Sequence, residues 1–114
     1  MAPGPITRVT MIKIPAEEHL AIALDGFRTF AKNQQKDGSP YILSMEAGHA
    51  EGPVRDQGYT FVTKSVFRNM EEMRYYETNC PAHNEYRRFL RANAEVLGLL
   101  TVHFTAEASF DFRT

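Results

Sequence analysis

The chain has 114 residues, a formal net charge of −1 and a single cysteine. That length fits one domain holding one sheet and a few helices, interspersed charges leave no electrostatic footprint for nucleic acid or an anionic membrane, and a lone cysteine excludes an internal disulfide and suits a reducing compartment. No apolar run approaches the roughly 20 residues that span a bilayer, and the start MAPGPIT lacks the basic-then-apolar order of a signal peptide, so the expectation is a soluble, cytoplasmic protein.

Residues 1–5 read as a flexible leader. Ile6 to Ile14 alternates in side-chain type and carries enough β-branched residues for a strand, with Arg8, Thr10, Ile12 and Ile14 on one face and Val9, Met11 and Lys13 on the other. Pro15 ends it and opens a helix with Glu17 and Glu18 in the first turn, where acids suit the helix dipole. Leu20, Ala23, Leu24, Phe27, Phe30 and Ala31 then recur at helical spacing as one apolar stripe. Gly38 breaks the exit, Tyr41 to Ala47 reads as a second strand, and Gly48 to Gly58 as a long loop of the kind that often serves as a binding lid.

Tyr59 to Phe67 is the third predicted strand, with Phe61, Thr63 and Ser65 on one face and Thr60, Val62, Lys64 and Val66 on the other. Asn69 with Glu72 three residues on caps a short helix through Tyr76. Cys80 to about Leu97 is the last helix, stopped by Gly98, and Leu99 to Phe104 the last strand. Residues 105–114 form a tail that could add an edge strand or a dimer contact.

The order βαββααβ, with right-handed crossovers and all helices on one face of an antiparallel sheet, is an α+β ferredoxin-like fold. The other face would carry Val9, Met11, Val62, Val66, Leu100, Val102 and Phe104, a patch large enough to require cover. A homodimer whose two sheets form a barrel is the expected remedy.

The helix-facing side is unusually polar, with Arg8, Thr10, Thr63, Ser65, Thr101 and His103 sharing its parity. Buried polar groups need partners, so a cavity holding water or a small molecule would satisfy them. Antiparallel order sets Arg8 beside His103, where the pair could hold a carboxylate or an enolate oxygen. The plainer alternative is a partly wet strand end with Arg8 paired to a surface acid.

His83 is the best candidate for chemistry. It follows Pro81 in the first turn of a helix, where the positive end of the dipole favours neutral imidazole, the form that accepts a proton near pH 7. The alternative is that it only packs or hydrogen-bonds locally. Cys80 sits at the same helix start, where a thiolate is stabilised, but no second thiol or base accompanies it in sequence. His19, His49, His83 and His103 lack metal-ligand spacing, and no phosphate-cradling glycine loop occurs.

Gly58-Tyr59-Thr60 opening the third strand, Pro81-Ala82-His83 opening the last helix, and the closing Leu99-Leu100-Thr101-Val102-His103-Phe104 resemble the stress-responsive dimeric α/β barrel (Dabb) family over residues 6–104. The resemblance implies a homodimer of ferredoxin-like subunits with a pocket between sheet and helices. A plant polyketide cyclase of that family performs a cofactor-free aldol closure with a histidine and a tyrosine. By this likeness the histidine falls on His83 and the tyrosine on Tyr76 or, second, Tyr75. The implied site has His83 and Tyr76 as the catalytic pair and Arg8, Thr10, Phe27, Tyr59, Phe61, Thr63, Tyr75 and His103 around the substrate, with no metal or cofactor. Phe27, with Phe30, also reads as ordinary core. Arg8 and Phe61 stand where the cyclase has histidines, and His103 where it has an acid. The reaction expected is therefore a cyclase or lyase step on a polyketide-like or aromatic carbonyl compound. Two alternatives use the same pocket: a non-catalytic dimeric stress protein binding a small apolar or aromatic molecule, or a cofactor-free oxygenase.

Overall fold

The structure is a computed structural model and describes residues 4–113; most of the predicted leader lies outside that range. Four antiparallel strands form one sheet in the order β2-β3-β1-β4, with β1 at Ile6–Lys13, β2 at Ser44–His49, β3 at Phe61–Phe67 and β4 at Gly98–Thr105. Helices α1 (Glu17–Asn33), α2 (Met70–Thr78) and α3 (Pro81–Asn93) cover one face. This is the expected α+β ferredoxin-like arrangement.

Local chemistry accounts for each element. Leu20, Ala23, Phe27 and Phe30 are the buried stripe of α1. Asn69 caps α2, its side-chain oxygen accepting the Glu72 amide at 2.9 Å, and Pro81 occupies the first turn of α3. At Gly26 a Cβ would fall 2.7 Å from the Phe89 ring, so glycine lets α1 and α3 approach closely. The core joins Ile6, Ile12, Ile14, Phe61 and Phe67 of the sheet side to Leu20, Phe27, Phe30, Met73, Tyr76, Tyr86 and Leu90 of the helices.

Three of the boundaries that differ from expectation lie where a hydrogen bond holds the chain. The second strand starts at Ser44 rather than Tyr41, because the Gln34 side-chain oxygen accepts the amides of Tyr41 and Ile42 at 3.0 and 3.2 Å. The third starts at Phe61 rather than Tyr59; the Thr60 hydroxyl donates to Ile14 O at 2.7 Å and accepts the Ile14 amide at 3.1 Å. The last helix ends at Asn93, short of Leu97, whose amide instead donates to Lys13 O at 2.9 Å and leads into the β1–β4 ladder. Leu97 is 66% exposed.

The expected lid between β2 and β3 folds as a short 3-10 turn, Pro53–Gln57, flanked by Gly52 and Gly58 at φ 89° and 95°. No residue of that turn lines the cavity described below. Beyond Thr105 the described tail adds no strand; its Phe110 and Phe112 rings stack on each other at 6.2 Å in an exposed position. The face away from the helices is apolar, and on its edge strand Leu100, Val102 and Phe104 are 53, 59 and 52% exposed. Among the described residues, no helix is long and apolar enough to cross a membrane.

Candidate functional site

A cavity of about 170 Å³ lies between the β1–β4 side of the sheet and the helices, lined by Arg8, Thr10, Ile12, Phe27, Thr63, Tyr76, His83, Tyr86, Arg87, Leu90, Leu99 and Thr101. Strand alternation supplies its floor, because Arg8, Thr10 and Ile12 point one way from β1 and pair in register with His103, Thr101 and Leu99 of β4. Helical spacing supplies its roof: His83, Tyr86, Arg87 and Leu90 recur at three and four residues along α3.

His83 is buried and fixed. Its Nδ1 lies 2.8 Å from Tyr76 O, and a carbonyl only accepts, so Nδ1 carries the proton and Nε2 holds the free lone pair. Among the described residues Nε2 has no protein hydrogen-bond partner, and the side chain opens onto the cavity. The imidazole lies flat on Tyr76, ring centroids 3.8 Å apart, with Phe30 stacked at 5.5 Å. Burial pushes its pKa down to about 4; the Arg87 and Arg8 guanidiniums push the same way, while the hydrogen bond to Tyr76 O opposes them. The imidazole is therefore neutral at pH 7, but burial and neighbouring cations contribute the depression rather than the helix dipole alone.

Tyr76 is buried against Phe67, and the Arg8 guanidinium lies 5.1 Å from its ring centroid. Burial raises the phenol's pKa, partly countered by Arg8 and the Ser65 hydroxyl, so Tyr76 stays protonated and can donate. Arg8 Nε donates to Glu77 at 3.1 Å and its Nη1 to Thr10 Oγ1 at 3.2 Å. The Thr10 and Thr101 hydroxyls lie 3.0 Å apart across the strands. Arg8 is thus paired to an acid, as the plainer reading had it, and also lines the cavity.

Of the expected site residues, the structure brings His83, Tyr76, Arg8, Thr10, Phe27 and Thr63 to this cavity. The other four lie elsewhere. Tyr75 turns away, its hydroxyl donating to Gln35 O at 3.2 Å and its ring meeting Tyr41 edge-on, which assigns the cavity to Tyr76. Tyr59 lies beneath Lys13, whose Nζ is 5.0 Å from the ring centroid. Phe61 has the right parity but is sealed in the core. His103 is opposite Arg8 in register, yet its side chain is exposed and lines none of the cavity, so the two do not form the expected clamp. Cys80 is fully buried, which argues against a reactive thiol.

Arg87 escaped the sequence reading. Its Nη2 donates to Glu77 O at 3.0 Å and to Asn84 Oδ1 at 2.6 Å, which holds the guanidinium at the cavity wall. The available signal was its place four residues after His83 on the same helix.

A larger hollow of about 290 Å³ lies outside, between α1 and α3, lined mainly by Gly26, Phe30, Ala82, Tyr86 and Phe89. Its rim acids Asp25 and Glu85 are paired to Arg28 and Arg88, so it offers packing without free chemistry. Among the described residues no acid, histidine and cysteine cluster could hold a metal ion.

A sequence model described as the stress responsive A/B barrel domain matches residues 6–105. A Gibberella zeae protein called Fusaristatin A biosynthesis cluster protein is 47% identical over 104 residues, spanning 91% of this chain and 75% of its own length. Hydroxynitrile lyase from Passiflora edulis shares the fold at a TM-score of 0.70 and 12% identity, covering 96% of this chain and 100% of that one. A dimeric ferredoxin-like protein of unknown function from Bacteroides fragilis does so at 0.66 and 17%, covering 90% and 97%. Identities this low establish shared architecture alone. The matched span and the identity of the Gibberella relative place this chain in the stress-responsive A/B barrel family.

Proposed function

We propose that the protein is a small cofactor-independent cyclase or lyase acting on a polyketide-like or aromatic carbonyl compound, with His83 as general base and Tyr76 as proton donor. The observation that carries this reading is the fixed tautomer of His83, with Nδ1 tied to Tyr76 O and Nε2 left free on a side chain that lines a cavity with polar groups on its wall. In an aldol closure, Nε2 takes a proton from an activated methylene, the resulting carbanion forms a carbon–carbon bond to a distal carbonyl, and the Tyr76 hydroxyl protonates the new oxyanion. A relative named for a biosynthesis cluster and a lyase of the same fold support small-molecule chemistry.

We also infer that the protein is a homodimer, with a second copy covering the apolar open face; the dimeric neighbour of like fold supports this. A second function is favoured by one observation: with its pKa pushed down to about 4, the imidazole is a weak base, which suits a binding protein that uses the cavity without proton transfer.

The test is turnover of a linear poly-β-ketone, followed by the appearance of a phenolic chromophore, in wild type and His83→Ala. General-base action predicts a loss of about 10²- to 10⁴-fold in kcat for the variant with binding retained. Equal turnover in the two proteins would remove His83 from the chemistry, and binding without turnover in wild type would favour the binding protein.

A further inference from the structure

The cavity wall carries two guanidiniums on different elements, Arg8 on β1 and Arg87 on α3. Each is held by contacts that leave donors unused. A guanidinium has five N–H groups. Arg8 engages Glu77 through Nε and Thr10 through Nη1; Arg87 engages the Glu77 carbonyl and Asn84 through Nη2 alone. Glu77 is the shared anchor, receiving Arg8 on its carboxylate and Arg87 on its backbone oxygen. One carboxylate therefore stands against two cations. With His83 neutral, the wall keeps an excess positive charge beside the free Nε2.

Both guanidiniums are half-buried at the cavity wall, where part of their hydration is lost, so their remaining donors favour an anionic oxygen. Fixed, forked donors are the arrangement that recognises a carboxylate. We propose that the cavity selects an anionic substrate, a small carboxylate-bearing carbonyl or aromatic compound whose carboxylate is taken by Arg8 and Arg87 while its reacting carbon faces Nε2 of His83. The volume of about 170 Å³ is below the roughly 300 Å³ lower bound of common ligand pockets, so the enclosed part is the size of a single ring with its acid group.

The proposal rests on the catalytic reading only for which end of the substrate reacts. It also supplies what that reading lacks. A bound carboxylate offsets both guanidiniums and adds its own charge beside the imidazole, which makes His83 a stronger base when the site is filled than when it is empty. Neutral competitors would leave the base weak.

Benzoate and its neutral counterpart benzamide are the probes, read by NMR of the His83 Cε1–H signal through a pH titration. Benzoate should bind wild type at least about 10-fold more tightly than benzamide and raise the His83 pKa by about one unit. Arg87→Met, which keeps the apolar stem, should weaken benzoate by about 10-fold or more and leave benzamide unchanged. If Arg87→Met does not fold, Arg8→Met and the wild-type benzoate-to-benzamide ratio give the same decision. Equal affinity for the two probes, no benzoate binding at about 10 mM, or an unmoved His83 titration would overturn the proposal. Binding is read without turnover, so a site that prefers benzoate but shows no chemistry would defeat the catalytic reading and keep this one. Turnover of neutral ketones without benzoate preference would do the reverse.

Discussion

The two faces of the sheet depart from the usual arrangement of a monomeric domain. Beneath the helices, β1, β3 and β4 present Arg8, Thr10, Thr63, Ser65 and Thr101, of which Thr10, Thr63 and Ser65 are buried. On the open side the same strands present Val9, Met11, Val62, Leu100, Val102 and Phe104, with the β4 residues more than half exposed. Beside the core residues Ile6, Ile12, Phe61 and Phe67 the covered face encloses polar groups, while the open face leaves apolar ones bare. A strand's period of two makes these patterns inseparable, since shifting the register by one residue would exchange them. The covered face is therefore suited to binding and chemistry, and the open face to assembly with a second copy.

The largest expected effect comes from putting a charge on the open face. Val102→Glu should weaken association by about 4 kcal/mol, roughly a thousandfold, and convert a dimer to a folded monomer by native mass spectrometry. A Val102→Glu protein that stays dimeric would show that this face is not the interface.

Acid should act on the covered face. The His83 pKa lies below its unfolded value of 6.5, at about 4. The unfolded chain thus gains the proton first, and stability present above pH 6.5 is lost as pH falls toward 4, by about 3 kcal/mol. Urea unfolding at fixed protomer concentration should show this loss in wild type and much less of it in His83→Gln; the same pH dependence in both proteins would assign it to other groups. The smallest effect concerns the threonine pair, whose hydroxyls are 3.0 Å apart. Thr10→Val or Thr101→Val should each cost about 1 kcal/mol and the double variant less than their sum, because removing one partner strands the other. Strict additivity would mean that the pair is not coupled.

Much of this was legible in the sequence because it follows from period and local chemistry. Alternation in β1 and β3 assigned both faces, Asn69 and Pro81 marked two helix starts, and antiparallel order set Arg8 opposite His103. What was not legible depends on where side chains end. The rotation of α2 decides between Tyr75 and Tyr76, and a doublet on adjacent positions carries no signal for it. Parity placed Phe61 and His103 on the helix side but not at the cavity, since one lies deep in the core and the other past the cover of the helices. Arg87 was missed because its contact to Glu77 O forms only once α2 and α3 meet, while its other partner, Asn84, lies one turn earlier on the same helix. Likewise α3 ends at Asn93, ahead of Gly98, and the chain beyond it is held by distant partners, Glu95 N–H donating to His19 Nδ1 and Leu97 N–H to Lys13 O.

The account depends most on the state of one ring. Nitrogen-15 NMR of His83 through a pH titration reads its tautomer and its pKa together. The contact to Tyr76 O predicts the Nδ1–H form, and burial beside Arg87 and Arg8 predicts a pKa pushed down to about 4. A ring that carries its proton on Nε2 would contradict the cavity-facing base on which the proposed chemistry stands, and one that titrates near the ordinary histidine value of about 6.5 would contradict its burial beside the two guanidiniums.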